Sequence, residues 1–149
     1  MVKSLHHTAI TVSDLDRAID FYVGILGAEV LSKRDHIIAD YARAFVGFAD
    51  ADLRTAMLTV PGGSKLELVE YLQPAGRPAQ TQPNSTGSMH VAFVVDDIDK
   101  LYRDLSSKGV RFRSEPQVST EGPSRGNRMF YAFDPDGALL EFIQPAAQA

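Results

Sequence analysis

Apolar and polar side chains alternate in the segment that begins at His7. Ile10 and Val12 share one parity, while His7, Ala9 and Thr11 share the other. A period of two predicts a strand with one face turned to a core. The period then changes: Leu15, Ala18, Ile19, Tyr22, Ile25 and Leu26 recur at three- and four-residue steps, which predicts an amphipathic helix. Ser13 or Asp14 can cap its first turn, because their side-chain oxygens accept first-turn amides. Gly27 stands where a left-handed residue closes a helix. Strand-like runs follow at residues 29–33, 43–48, 54–60 and 65–71, with a turn signal at Pro61-Gly62-Gly63.

The same succession returns in the second half. Val91, Phe93 and Val95 oppose His90, Ala92 and Val94, and a helical set follows at Ile98, Leu101, Tyr102 and Leu105. Asp96 or Asp97 is the candidate cap and Gly109 the candidate terminator. Strand-like runs cover residues 110–113, 129–133 and 138–143, with one strand less clearly written, and Asp134-Pro135-Asp136-Gly137 is a turn signal. The ten residues from His7 to Asp16 lie over those from His90 to Asp99 without a gap. An internal repeat of this kind predicts an α+β fold of two βαβββ modules. We expect residues 1–149 to form a single domain: module 4–72, a Pro-, Gln- and Ser-rich linker 73–87, and module 88–145.

Parity also singles out chemistry. Leu66 and Leu68 sandwich Glu67, and Leu140 and Phe142 sandwich Glu141. Each module therefore carries a histidine where its first strand begins and a glutamate on the same face of its last strand. The separations are 60 residues from His7 to Glu67 and 51 from His90 to Glu141. Taken singly, a strand histidine reads as a hydrogen-bonded core residue and a strand glutamate as solvent-facing. Four such residues at equivalent places in both repeats have the composition of a nitrogen and oxygen metal site, so His7, Glu67, His90 and Glu141 are candidate ligands. His6 and His36 lack this symmetry; His6 reads as structural or exposed.

Composition narrows the partners. The chain has no cysteine, which removes disulfides, zinc–thiolate sites and cysteine nucleophiles. Its net charge of −4 argues against a nucleic-acid partner. Nothing approaches the roughly 20 apolar residues of a membrane span, and no apolar signal region opens the chain, so the cytoplasm is the expected location. Arg111, Arg113, Arg125 and Arg128 gather in one region, either as a solvated edge or as a clamp for an anionic substrate tail; Arg125 and Arg128 are the candidate substrate contacts.

At this point the sequence resembles the vicinal oxygen chelate superfamily, which includes glyoxalase I, methylmalonyl-CoA epimerase, extradiol dioxygenases, fosfomycin-modifying enzymes and bleomycin-binding proteins. The likeness is carried by His7 through Tyr22 with Leu26-Gly27, by Leu66-Glu67-Leu68, by His90 through Asp99, and by Asp134-Pro135-Asp136-Gly137 through Glu141. The resemblance implies that the two modules form a curved mixed sheet whose concave face cups one divalent metal. It implies His7 and Glu67 as ligands from the first module, and His90 and Glu141 from the second. Nickel, cobalt, zinc, manganese and iron all accept such a set. The ligand set is most similar to that of glyoxalase I; epimerases carry glutamine where this chain has Glu67, and dioxygenases use only one carboxylate.

The activity so implied is a metal-dependent isomerase or lyase that moves a proton on a small substrate with adjacent oxygens, through a metal-stabilised enediolate or enolate. Glu141 is the candidate base and Glu67 its mirror on the other side of the substrate. Tyr131, ten residues before Glu141, resembles the acid tyrosine of extradiol dioxygenases, and it also reads as one more strand aromatic. Residues 117–127 read as a mobile flap or as a plain exposed loop. Two other readings stay open: an Fe(II) extradiol dioxygenase with His7, His90 and Glu141 as its triad, and a non-catalytic small-molecule or antibiotic binder. The family also implies a homodimer.

Overall fold

The computed structural model describes residues 1–79 and 82–147. The chain divides into two compact units, Met1–Ala79 and the described residues after it. Unit one runs β1 (Thr8–Val12), α1 (Leu15–Leu26), β2 (Glu29–Ile37), α2 (Asp40–Val46), β3 (Asp52–Thr59) and β4 (Lys65–Gln73). Its strands lie in the order β1-β4-β3-β2, with β1 and β4 parallel and the other pairs antiparallel. Unit two runs β5 (His90–Val94), α3 (Ile98–Ser107), β6 (Gln117–Val118), β7 (Arg128–Phe133) and β8 (Leu139–Gln144). Its order is β5-β8-β7-β6, and again only the first pair is parallel. The fold is therefore α+β, with one mixed four-stranded sheet in each βαβββ unit.

Local chemistry sets the helix ends. Asp14 accepts a hydrogen bond from the Arg17 amide at 3.0 Å, and Asp97 does the same for Lys100 at 2.8 Å. Each satisfies a first-turn donor that has no helical partner. Gly27 closes α1 at φ 63°, a left-handed conformation that a Cβ would strain. Leu15, Ala18 and Tyr22 of α1 are buried together with Val12, Ala56, Leu58, Leu66 and Leu68. In unit two the buried set is Ile98, Leu105, Phe130, Ala132, Leu140 and Phe142. A fully buried leucine or phenylalanine stabilises by about 1.5–3 kcal/mol, so these rows hold one face of each sheet against its helix. The other face of each sheet carries the candidate ligands.

Several elements differ from expectation. Residues 43–48 are not a strand: they fall mostly within α2, where Ala42 and Val46, four apart, pack with Ile37, Leu53 and Tyr71 in a small second cluster. This neighbouring apolar surface rewards a helical period over the extended one expected from the sequence. Strand β2 runs to Ile37, well past the expected residue 33, because pairing with β3 holds an edge whose side chains are mostly exposed. His36 lies in this extension, at φ 53° in a bulge, with Nδ1 3.0 Å from Asp52. Residues 110–113 form only a bridge between Phe112 and Ala132, although the Arg113 amide donates to Tyr131 at 2.9 Å. The faint strand is β6, inside the segment read as a flap or loop.

Candidate metal centre

In unit one, parallel register sets Ala9 beside Glu67, and His7 lies two residues before Ala9. The alternation of side chains puts His7, Ala9 and Glu67 on one face. On the β1 side only the Ala9 methyl group stands opposite Glu67, so the imidazole reaches diagonally across it: His7 Nε2 lies 3.2 Å from Glu67 Oε2. Unit two repeats the arrangement. Ala92 is the register partner of Glu141, His90 lies two residues before Ala92, and His90 Nε2 is 3.1 Å from Glu141 Oε2. Both glutamates are partly buried, Glu141 more deeply, with 14% of its side chain exposed against 26% for Glu67.

These separations suit a shared cation. Two donors each about 2.1 Å from an ion, and about 90° apart, lie about 3.0 Å from one another. The donors are imidazole nitrogen and carboxylate oxygen, acceptable to nickel, cobalt, zinc, manganese and iron. Among the described residues, no group of three or more His, Asp or Glu side chains is placed to hold a metal ion. A two-point grip is short of the three or more protein ligands that such ions usually take.

The surroundings of the two pairs differ. His6, which sequence reasoning set apart, lies with Nδ1 2.7 Å from His7 Nδ1. A hydrogen bond to the second nitrogen fixes an imidazole's tautomer and aim, so His6 belongs to the His7 environment. Its signal in the sequence was only its adjacency to His7. In unit two, Tyr131 of β7 is the register partner of Glu141, and its ring meets His90 edge-on with centroids 5.3 Å apart. Burial, aided by the charge of Glu141, raises the Tyr131 hydroxyl above its usual range, which keeps it protonated at neutral pH. The equivalent position in unit one is Met57, opposite Glu67.

The arginines separate. Arg128 grips Asp99 of α3 with both terminal nitrogens, at 2.5 and 2.6 Å, and so anchors β7 to the helix. Arg125 is exposed in the segment between β6 and β7. Arg111 stacks its guanidinium 5.2 Å from the Phe133 ring.

Sequence comparison decides the lineage. The profile of the glyoxalase/bleomycin resistance protein/dioxygenase superfamily matches residues 4–142. The chain belongs to this superfamily. It is 35% identical to a 2-epi-5-epi-valiolone epimerase of an Actinomyces species, over 98% of this chain and 81% of that one. It is 31% identical to a probable lactoylglutathione lyase of Synechocystis, over 97% of both chains. The crystal structure of a glyoxalase family protein from Bacillus cereus superimposes with a TM-score of 0.85, covering 99% of this chain and 97% of that one at 23% identity, a likeness of fold.

Proposed function

We propose that the protein is a metal-dependent isomerase or lyase that transfers a proton on a small substrate bearing adjacent oxygens. The relatives named as an epimerase and a lactoylglutathione lyase support this class. The observation that carries the reading is the duplicated pair, His7 with Glu67 at 3.2 Å and His90 with Glu141 at 3.1 Å, in equivalent register of the two repeats. Together these four residues would hold one divalent ion. Such an ion, when bound, supplies positive charge against the negative charge that grows on substrate oxygens as a proton leaves carbon.

The remaining work falls to side chains. Glu141 takes the role of base, accepting the proton at a carboxylate oxygen; its strand neighbours Leu140 and Phe142 are buried and hold it in place. If Glu141 removes and returns the proton, the outcome is isomerisation; if Glu67 returns it on the opposite side, the outcome is epimerisation. Tyr131 walls the His90–Glu141 pair, and its protonated hydroxyl is a hydrogen-bond donor for a substrate oxygen. Arg128 is committed to Asp99, which leaves Arg125 as the exposed one of the two arginines first considered.

Protein purified without chelator should contain one equivalent of a divalent metal per chain. His7→Ala and His90→Ala should each lose nearly all of it; retention of half in each variant would mean that the pairs act separately and would overturn the shared site. With 2-oxoaldehyde adducts and acyl thioesters as the panel, the loaded enzyme should exchange substrate carbon-bound hydrogen with solvent deuterium, and Glu141→Gln should lower that rate at least 100-fold. Oxygen consumption with catechols would instead support the Fe(II) dioxygenase reading. Absence of metal, with ligand retention in Glu67→Gln and Glu141→Gln, would support the non-catalytic binder.

A further inference from the structure

The face of the first sheet that bears Glu67 also bears a cation with no acidic partner among the described residues. Antiparallel register carries the face across the sheet: Glu67 is opposite Met57, Val69 is opposite Thr55, and Thr55 is opposite Arg34 of β2. Directly paired residues point to one side, so Arg34 shares the face of Glu67 and His7. Its neighbour Lys33 confirms the parity from the other side, because Lys33 reaches Asp16 of α1. Two strand spacings and two residues along the strand place the Arg34 and Glu67 Cα atoms about 12 Å apart.

Arg34 is exposed, and its contacts are unusual for an arginine. Both terminal nitrogens lie near the neutral Tyr41 hydroxyl on α2, at 3.4 and 3.5 Å, and no carboxylate pairs with it among the described residues. Two acids of this region are engaged elsewhere: Asp35 pairs with Arg54, and Asp52 with His36. Arg54 itself, on the helix face, is saturated by Asp16, Asp35 and Glu70. A guanidinium presents parallel N–H donors that match two oxygens of a carboxylate or phosphate, and long contacts to one neutral oxygen leave that capacity unspent.

We propose that Arg34, with Tyr41 beside it, binds an anionic substituent of the substrate, a carboxylate or a phosphate, at the end remote from the reacting carbon. The substrate is then an acid or a phosphate ester, held at one end by Arg34 and presented at the other to the Glu67 and His7 pair. This rests on the functional reading above only for the word substrate; the anion site itself is a property of unit one.

The test is therefore made on the metal-free full chain, apart from catalysis. Side-chain nitrogen NMR of Arg34 and the amide signals of α2 are followed while inorganic phosphate, succinate or neutral glycerol is added. Saturable shifts with phosphate alone identify a phosphate ester, with succinate alone a carboxylate, and with both an anion site indifferent to the two; glycerol should do nothing. Arg34→Met should abolish the α2 amide shifts, Arg34→Lys should weaken binding about tenfold, and Tyr41→Phe should weaken it less. Absence of saturable shifts in the native chain, or the same α2 amide shifts in Arg34→Met, would overturn the proposal while leaving the metal assignment intact. Persistence of the shifts in a chain that takes up no added nickel or manganese would do the reverse.

Discussion

Two alanines make the candidate centre possible. Ala9 and Ala92 are the register partners of the two glutamates, and each lies two residues after its histidine, so a larger side chain there would stand between imidazole and carboxylate. Ala92→Leu should therefore cut metal affinity at least tenfold. Because Ala92 lies on the face away from the buried row, the thermal midpoint of the metal-free protein should move little; metal titration and calorimetry check the two halves of this expectation. Asp134 is the opposite kind of residue, acidic and only 2% exposed. Its Oδ1 accepts from the Asp136 and Ala138 amides at 2.9 and 2.7 Å, which ties the turn leading into β8 and thus into Glu141. Asp134→Ala would leave two turn amides without that acceptor, and we expect a loss of about 2–3 kcal/mol by denaturant unfolding, with Asp134→Asn losing less.

At the scale of elements, unit one is fastened by Arg54 of β3. It donates to Asp16 of α1, Asp35 of β2 and Glu70 of β4, and Glu70 also accepts the Leu15 amide at the start of α1 at 3.2 Å. One partly buried guanidinium thus joins three strands and the helix. Arg54→Met should destabilise by about 2 kcal/mol, since it leaves three carboxylates facing one another without their common partner. Acid should act through the same contacts. Lys33 and then Arg54 hold Asp16 below the ordinary carboxylate value, Arg54 holds Asp35 there, and Arg128 does so for Asp99. A carboxyl group lowered in the folded state adds stability above its unfolded pKa of about 4 and loses it as pH falls through the lowered folded value. Stability should accordingly decline below about pH 4, and the decline should be shallower in Arg54→Met, as equilibrium unfolding from pH 5 to 2 will measure.

For the whole molecule, the separate pairs predict a linkage between metal and stability. An ion that binds only the folded chain stabilises it by about 2.7 kcal/mol at one hundred times its dissociation constant, roughly 5–10 °C in midpoint for a chain of this size. Under the proposal that His7, Glu67, His90 and Glu141 hold one ion together, His7→Ala and His90→Ala should each abolish the whole shift in a thermal melt, not half of it. None of the helices among the described residues is long and apolar enough to cross a membrane. The partner state proposed from the family is a homodimer, and sedimentation of the metal-loaded chain tests it.

The repeat, the helix starts (capped by Ser13 or Asp14 and by Asp96 or Asp97), and the shared parity of each His–Glu couple were legible from the order of residues alone. They depend on periodicity and on contacts within one turn or along one strand, which the linear chain specifies directly. The helical state of residues 40–46, the length of β2, the place of His6 on His7, and the engagement of Arg128 by Asp99 were not legible in this way. Each was decided by what a segment meets across the fold: an apolar patch that favours a helix, a neighbouring strand that supplies hydrogen bonds, a carboxylate that claims a cation. Local pattern names the residues able to do chemistry; tertiary packing decides which of them are left free to do it.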